Sequence, residues 1–89
     1  MTERKGAARD LDAICFGLIV KRLRVQRGWQ VQQLAQLTGM SRVHIGVIER
    51  GGNPPTLRTF IAISQALGVD PTDVLREILQ NRAQFQKQT

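Results

Sequence analysis

The sequence predicts an all-α fold, a compact domain of five helices. Three observations carry this. Apolar residues recur at helical spacing in successive stretches, with no two-residue alternation of the kind a strand shows. Aromatic side chains make up only 4% of the 89 residues against 42% apolar overall, so the core is aliphatic. Breaks containing glycine or proline at residues 28, 39, 51–55 and 68–71 divide the chain into segments of helix length.

Residues 1–12 read as a flexible, charged arm. The first helix is expected from about Ala13, with Phe16, Ile19, Val20 and Leu23 at i, i+3, i+4 and i+7 on one face. Gly28 ends it, and Arg24 and Arg27 complement the negative end of its dipole. A short second helix covers residues 30–38, with Val31, Leu34, Ala35 and Leu37 as its apolar positions. Gly39 stands where the chain must turn through a positive φ. Ser41 is a good N-cap for a third helix over residues 42–50, whose inward residues are Ile45 and Ile48. After the break at 51–55, Thr56 caps a fourth helix with Leu57, Phe60, Ile61, Ile63, Ala66 and Leu67 apolar. Asp70-Pro71-Thr72-Asp73 opens a fifth, with the stripe Val74, Leu75, Ile78 and Leu79. Residues 13–80 therefore form the domain, and 81–89 a polar tail with Phe85 as its one large apolar residue.

The net charge of +6 and a pI near 11.1 point to an anionic partner, nucleic acid or a membrane surface. The charge is uneven. Residues 1–58 carry ten basic against four acidic side chains, and residues 59–89 carry three of each. The anion-facing surface is expected in the first two-thirds. No apolar run approaches the ~20 residues of a membrane span, and residues 1–12 lack the apolar stretch of a signal peptide. A cytoplasmic or nucleoid-associated protein is expected. Cys15 stands alone, so no internal disulfide forms, and it reads as a small core residue rather than a redox sensor. One His, one Cys, no metal-ligand cluster and no phosphate-cradling glycine loop argue against an enzyme, and no cofactor or metal is expected.

Residues 31–51 carry the functional signal. Ala35, Gly39, Ile45 and Ile48 are spaced by four, six and three. Two short helices crossing steeply through a tight turn need each of them. Ala35 lets the next helix approach, Gly39 permits the turn, and Met40, Ile45 and Ile48 pin the second helix onto Leu34. That helix then stands outward, presenting Arg42, Val43, Gly46 and Val47.

On these residues the chain resembles the Cro/repressor-type helix-turn-helix domain, the XRE family, over residues 16–75. The matching stretches are Gly17 to Arg24, Leu34-Ala35, Gly39-Met40-Ser41-Arg42, Ile45, Ile48-Glu49-Arg50-Gly51, Asn53-Pro54 and Ala66-Leu67-Gly68-Val69. The resemblance implies a lambda-repressor-like fold. It further implies a dimer that places its third helix in the DNA major groove, with half-sites about one helical turn apart. Ser41 would hold a phosphate at the start of that helix. Arg42 would read guanine O6 and N7. Val43 and Val47 would meet thymine methyl groups, Gly46 would let the backbone approach closely, and His44 would touch a phosphate or a base edge. Arg50, Asn53 and Arg58 flank the loop where a backbone contact is expected. Arg24 and Glu49 match positions that form a structural ion pair between the first and third helices.

The chain also departs from that family's pattern. Trp29-Gln30-Val31 stands where Ser or Thr followed by Gln usually starts the second helix, so Gln32 or Gln33, or nearby basic groups, must supply the phosphate contact there. Valines and a glycine at readout positions leave few direct hydrogen bonds, and sequence-dependent DNA shape is expected to contribute. Part of the stripe Val74, Leu75, Ile78 and Leu79, together with Phe85, is expected to form a two-fold dimer contact. The function expected is sequence-specific double-stranded DNA binding by a small dimeric regulator of bacterial, phage or plasmid origin. It would repress by occupying a pseudo-palindromic operator. The rival reading is a protein-interaction module, such as the antitoxin half of a toxin–antitoxin pair.

Overall fold

The computed structural model describes residues 10–87, with side chains described through residue 85. Five helices follow in order: α1 (Leu11–Gln26), α2 (Val31–Thr38), α3 (Arg42–Glu49), α4 (Leu57–Ala66) and α5 (Pro71–Lys87). They close a ring around one core: α1 packs on α3, α3 on α2, α2 on α4, α4 on α5, and α5 back on α1. The fold is the all-α, helix-turn-helix-bearing architecture expected from the sequence.

The core is aliphatic. Phe16, Ile19, Leu34, Ile45, Ile48 and Ile63 are each at most 2% exposed, and each such side chain contributes roughly 1.5–3 kcal/mol when removed from water. Phe16 and Phe60 add a tilted aromatic contact, ring centroids 5.2 Å apart. Cys15 is fully buried, and burial pushes its thiol above its ordinary pKa, with Asp12 adding to the shift and Arg82 opposing it. That environment disfavours the reactive thiolate.

Several expectations are corrected. Helix α1 begins at Leu11, because the Asp10 carboxylate accepts from the backbone N–H groups of Asp12 (2.9 Å) and Ala13 (3.1 Å). Residues 10–12 are thus part of the helix and its cap, and residues 1–9 of the expected arm lie outside the described residues. Helix α5 runs on to Lys87 through most of the expected tail, where Arg82 reaches back to Asp12 of α1 (Nη1 to Oδ1, 3.1 Å). Residues 88 and 89 lie outside the described residues.

In α4 and its C-cap the inward positions are 60, 63, 64 and 67, so Leu57 (74% exposed) and Ile61 face outward, and Ser64 is buried in their place. Its hydroxyl donates to the Phe60 carbonyl at 2.8 Å, which makes a polar side chain tolerable in the core. Leu37 of α2 is also exposed.

Candidate nucleic-acid interface

Helix α3 is set at the surface by its neighbours. Gly39 closes α2 in the left-handed region (φ 72°), and the Met40 N–H donates to the Ala35 carbonyl at 3.0 Å. A residue with a Cβ is disfavoured in that conformation. Ser41 then caps α3 by accepting from the His44 N–H at 3.0 Å. Its lone-pair oxygen is used there, while its O–H remains a donor toward solvent. Ile45 and Ile48 anchor the inner side of α3 in the core.

A second anchor is polar. The Arg24 guanidinium grips Glu49 with two bonds, Nε to Oε2 at 2.6 Å and Nη2 to Oε1 at 3.0 Å. Its third arm, Nη1, donates to the Trp29 carbonyl at 2.7 Å. One side chain therefore ties α1, the turn before α2, and the C-terminal end of α3. Both partners are largely buried, with side-chain exposures of 11% and 7%. The half-buried Trp29 ring packs against the core beside them.

The outer side of α3 is open. Ser41, Arg42, Val43 and His44 are exposed, and Val43 is the most exposed of its apolar residues at 74%. Gly46 and Val47 are half-buried. A Cβ at Gly46 would stand 3.1 Å from Nη1 of Arg50, so the Arg50 guanidinium lies alongside the helix at that level. The sequence groups Arg50 with the loop that follows α3. The i, i+4 spacing places Arg50 one turn beyond Gly46 on the same face, where the bare glycine leaves room for its side chain. Asn53 and Arg58 are exposed on and just after the loop that follows.

Gln32 and Gln33 are both exposed on the first turn of α2. They differ in use: Gln33 Oε1 accepts from the Gln30 N–H at 2.6 Å and so serves the helix cap. Gln33 offers only its amide N–H groups outward.

The charges are sorted. Every acidic side chain among the described residues is engaged. Asp10 and Asp70 accept from backbone N–H groups at helix starts. Asp12, Glu49, Asp73 and Glu77 pair with Arg82, Arg24, Arg76 and Arg22. Among the described residues, Arg42 and Arg58 take part in no ion pair, and their charge is open to an anion.

The four residues expected at a dimer contact divide. Val74 and Ile78 are 4% and 5% exposed and pack mainly in the protomer's own core, with Ile78 also reaching the wall of the groove described next. A helix face wide enough to fill the core and also meet a partner needs two rows, and only the outer row, Leu75 and Leu79, remains about half exposed. These two line an apolar groove of about 400 Å³ with Phe16, Pro54, Leu57 and Phe60, and Asp10 and Asp12 border it. Phe85 is 39% exposed further along α5. Among the described residues there is no group of three His, Cys, Asp or Glu side chains that could hold a metal ion, and no helix long and apolar enough to cross a membrane.

Residues 20–74 match the family described as helix-turn-helix. The chain is 44% identical over 50 residues to the HTH-type transcriptional regulator SutR of Escherichia coli (strain K12), a match covering 56% of this chain and 28% of that protein. Among solved structures, the restriction-modification controller protein C.AhdI of Aeromonas hydrophila superimposes with a TM-score of 0.69 at 29% identity. That match covers 73% of this chain and 98% of that one. The clp gene regulator ClgR of Corynebacterium glutamicum shares the fold with a TM-score of 0.81 at 23% identity, covering 91% of this chain and 86% of that one.

Proposed function

Since the chain belongs to the helix-turn-helix family, we propose that it is a DNA-binding transcriptional regulator that reads an operator with α3. The observation that carries this reading is the posture of α3. Its inner side is locked by Ile45, Ile48 and the Arg24–Glu49 pair, while its outer side projects Ser41, Arg42, Val43, His44 and Val47 with no carboxylate against Arg42. A rigid helix with an uncommitted outer face and a basic end is what major-groove reading requires.

In this reading Arg42 takes guanine O6 and N7. The Ser41 hydroxyl, Gln32, the Gln33 amide, Asn53 and Arg58 hold phosphates and so fix register. Gly46 lets the backbone come close, and His44 meets a phosphate or base edge. Arg24 and Glu49 position the helix and touch no DNA. Leu75 and Leu79, with the groove they border, form the two-fold contact of a homodimer, which places two copies of α3 on a pseudo-palindromic site. Such a protein works in the cytoplasm on the nucleoid and represses by occupancy. SutR is named a transcriptional regulator and C.AhdI a controller protein, which supports the regulatory reading. The chain spans 28% of SutR's length.

The test is selection from randomised duplexes with purified protein at near-physiological salt. The expected result is a pseudo-palindrome with half-sites about one helical turn apart. Arg42→Ala should then relax preference at one position per half-site, a loss of about 1–3 kcal/mol. Salt-sensitive binding without an enriched motif would overturn the sequence-specific reading.

A further inference from the structure

Helix α1 is apolar on two sides. Its inner side, with Phe16, Ile19, Val20 and Leu23, fills the core. On the opposite side stand Leu11, Ile14, Leu18, Lys21 and Val25, spaced three, four, three and four. At about 100° per residue, these five fall within roughly 80° of the helix circumference. Leu18 and Val25 are 51% and 57% exposed, and Leu11 and Ile14 are half-buried. Helix α3 meets α1 at Gly17, about 100° round from Leu18, and so leaves this row open. Of the five helices α1 is the least amphipathic, and a helix apolar on two sides ordinarily meets a neighbour on each.

Single exposed apolar residues are ordinary on a protein surface. A row that alternates steps of three and four is the seam along which one helix packs on another, and a polar residue within the seam selects the partner. From Leu11 to Val25 the seam runs about 21 Å, two heptads. Its polar residue is Lys21, which pairs with no carboxylate among the described residues. Arg22 beside it is already held by Glu77. A second copy of this chain leaves Lys21 unsatisfied. Paired antiparallel with Leu18 on Leu18, Lys21 meets Ile14; paired parallel in register, it meets another Lys21. The carboxylates of the described residues are all engaged elsewhere. Covering an ammonium group without a partner is costly, so the chemistry that fits is an acid on a different chain. We propose that the outer side of α1 docks an amphipathic helix of a second, different protein, its apolar residues on Leu18 and Val25 and a carboxylate on Lys21. The site is separate from α3, and the proposal does not rest on the DNA-binding reading.

The experiment uses the full chain and a fluorescein-labelled, end-capped synthetic helix of three heptads. The peptide has leucine at its seam positions except for one central glutamate, placed to meet Lys21, and uncharged residues elsewhere. A second peptide has lysine in place of that glutamate. Fluorescence anisotropy gives the affinity of each peptide, at nanomolar concentration, for the wild type, Lys21→Glu and Leu18→Ser. Circular-dichroism melting checks that each variant folds; all three proteins should melt alike, since both side chains are exposed. The wild type should prefer the glutamate peptide about fivefold, and Lys21→Glu should reverse that preference. Leu18→Ser should weaken binding of both peptides about fivefold, the worth of one half-covered leucine. Absence of saturable binding, an unchanged preference in Lys21→Glu, or unchanged affinity in Leu18→Ser would each overturn the proposal. Sedimentation of the wild type and Leu18→Ser completes the test. Equal assembly states are expected, and dissociation caused by Leu18→Ser would make a second copy the occupant and overturn the proposal as well.

Discussion

Gly17 of α1 lies directly against the last carbonyls of α3: a Cβ there would overlap the Ile48 oxygen and stand 2.7 Å from that of Glu49. Those atoms are backbone and cannot swing away. Gly17→Ala should therefore destabilise the fold by about 1–3 kcal/mol, the usual cost of overpacking, despite alanine's better helix propensity. Chemical denaturation at constant m-value checks this. A stabilised variant would mean that α1 and α3 can move apart.

The Arg24–Glu49 pair is buried enough that losing one partner strands the other. Arg24→Ala also orphans the Trp29 carbonyl, so it should cost more than Glu49→Ala, each on the order of 3 kcal/mol. The double variant should cost less than the sum, with a coupling of about 1–3 kcal/mol. Simple additivity in the cycle would show that the two residues do not act as a unit.

Glu77 and Arg22 form a fork between α5 and α1, the second bond being Arg22 Nη2 to Glu77 Oε1 at 3.1 Å. Hydrogen bonding to Arg22 holds the Glu77 carboxyl below its ordinary 4.5. A depressed carboxylate stabilises the fold fully above the unfolded value and loses that contribution as pH falls through the folded one. Both side chains are partly exposed, 46% for Arg22 and 32% for Glu77, so the contribution is about 0.2–1 kcal/mol. Glu77→Gln should be less stable than the wild type near neutral pH, and the two should converge as pH falls through the depressed Glu77 value. Parallel stability curves from neutral to acid pH would contradict this.

Gly46→Ala should separate stability from function. Alanine improves helix propensity by up to about 1 kcal/mol, and the atom it meets, Arg50 Nη1 at 3.1 Å, is the end of a flexible side chain. Thermal melting should rise. Operator affinity should fall, because the new methyl displaces the guanidinium and holds the helix off the groove. A variant that gains stability and keeps its affinity would show that the close approach is unnecessary.

Leu75 and Leu79 should matter to assembly and little to the protomer. Replacing both with serine should shift sedimentation toward the monomer, each half-buried leucine contributing about 1 kcal/mol per protomer to the contact. Val74→Ser or Ile78→Ser should instead unfold the protomer, since both side chains are in its core. An unchanged assembly state in the Leu75, Leu79 double variant would move the dimer contact elsewhere.

Much of this was legible in the residues alone, because short-range rules govern it. The periodic rows Phe16-Ile19-Val20-Leu23 and Ile45-Ile48 announced two helix faces, and Gly39 and Ser41 marked the turn between α2 and α3 through one backbone conformation and one capping oxygen. Tertiary packing decided what periodicity cannot rank. An apolar position on a helix says that it can be buried, and only the neighbouring helices say whether it is. Hence Ser64 went in and Leu57 stayed out, and Val74 and Ile78 parted from Leu75 and Leu79. The Arg24–Glu49 pair was legible only through the family resemblance, and the long-range polar contacts of α5 were not legible at all. The Asp12–Arg82 pair binds residues seventy positions apart and carries α5 through a stretch whose polar composition reads as a tail. The seat of Gly17 under the carbonyls of α3, and of Arg50 beside Gly46, depends on distances between backbones. Residue type and spacing suffice for the helices, their turn chemistry and the helix-turn-helix, which depend on near neighbours in the chain. Which faces the helices share follows from packing alone, because burial is a property of neighbours in space.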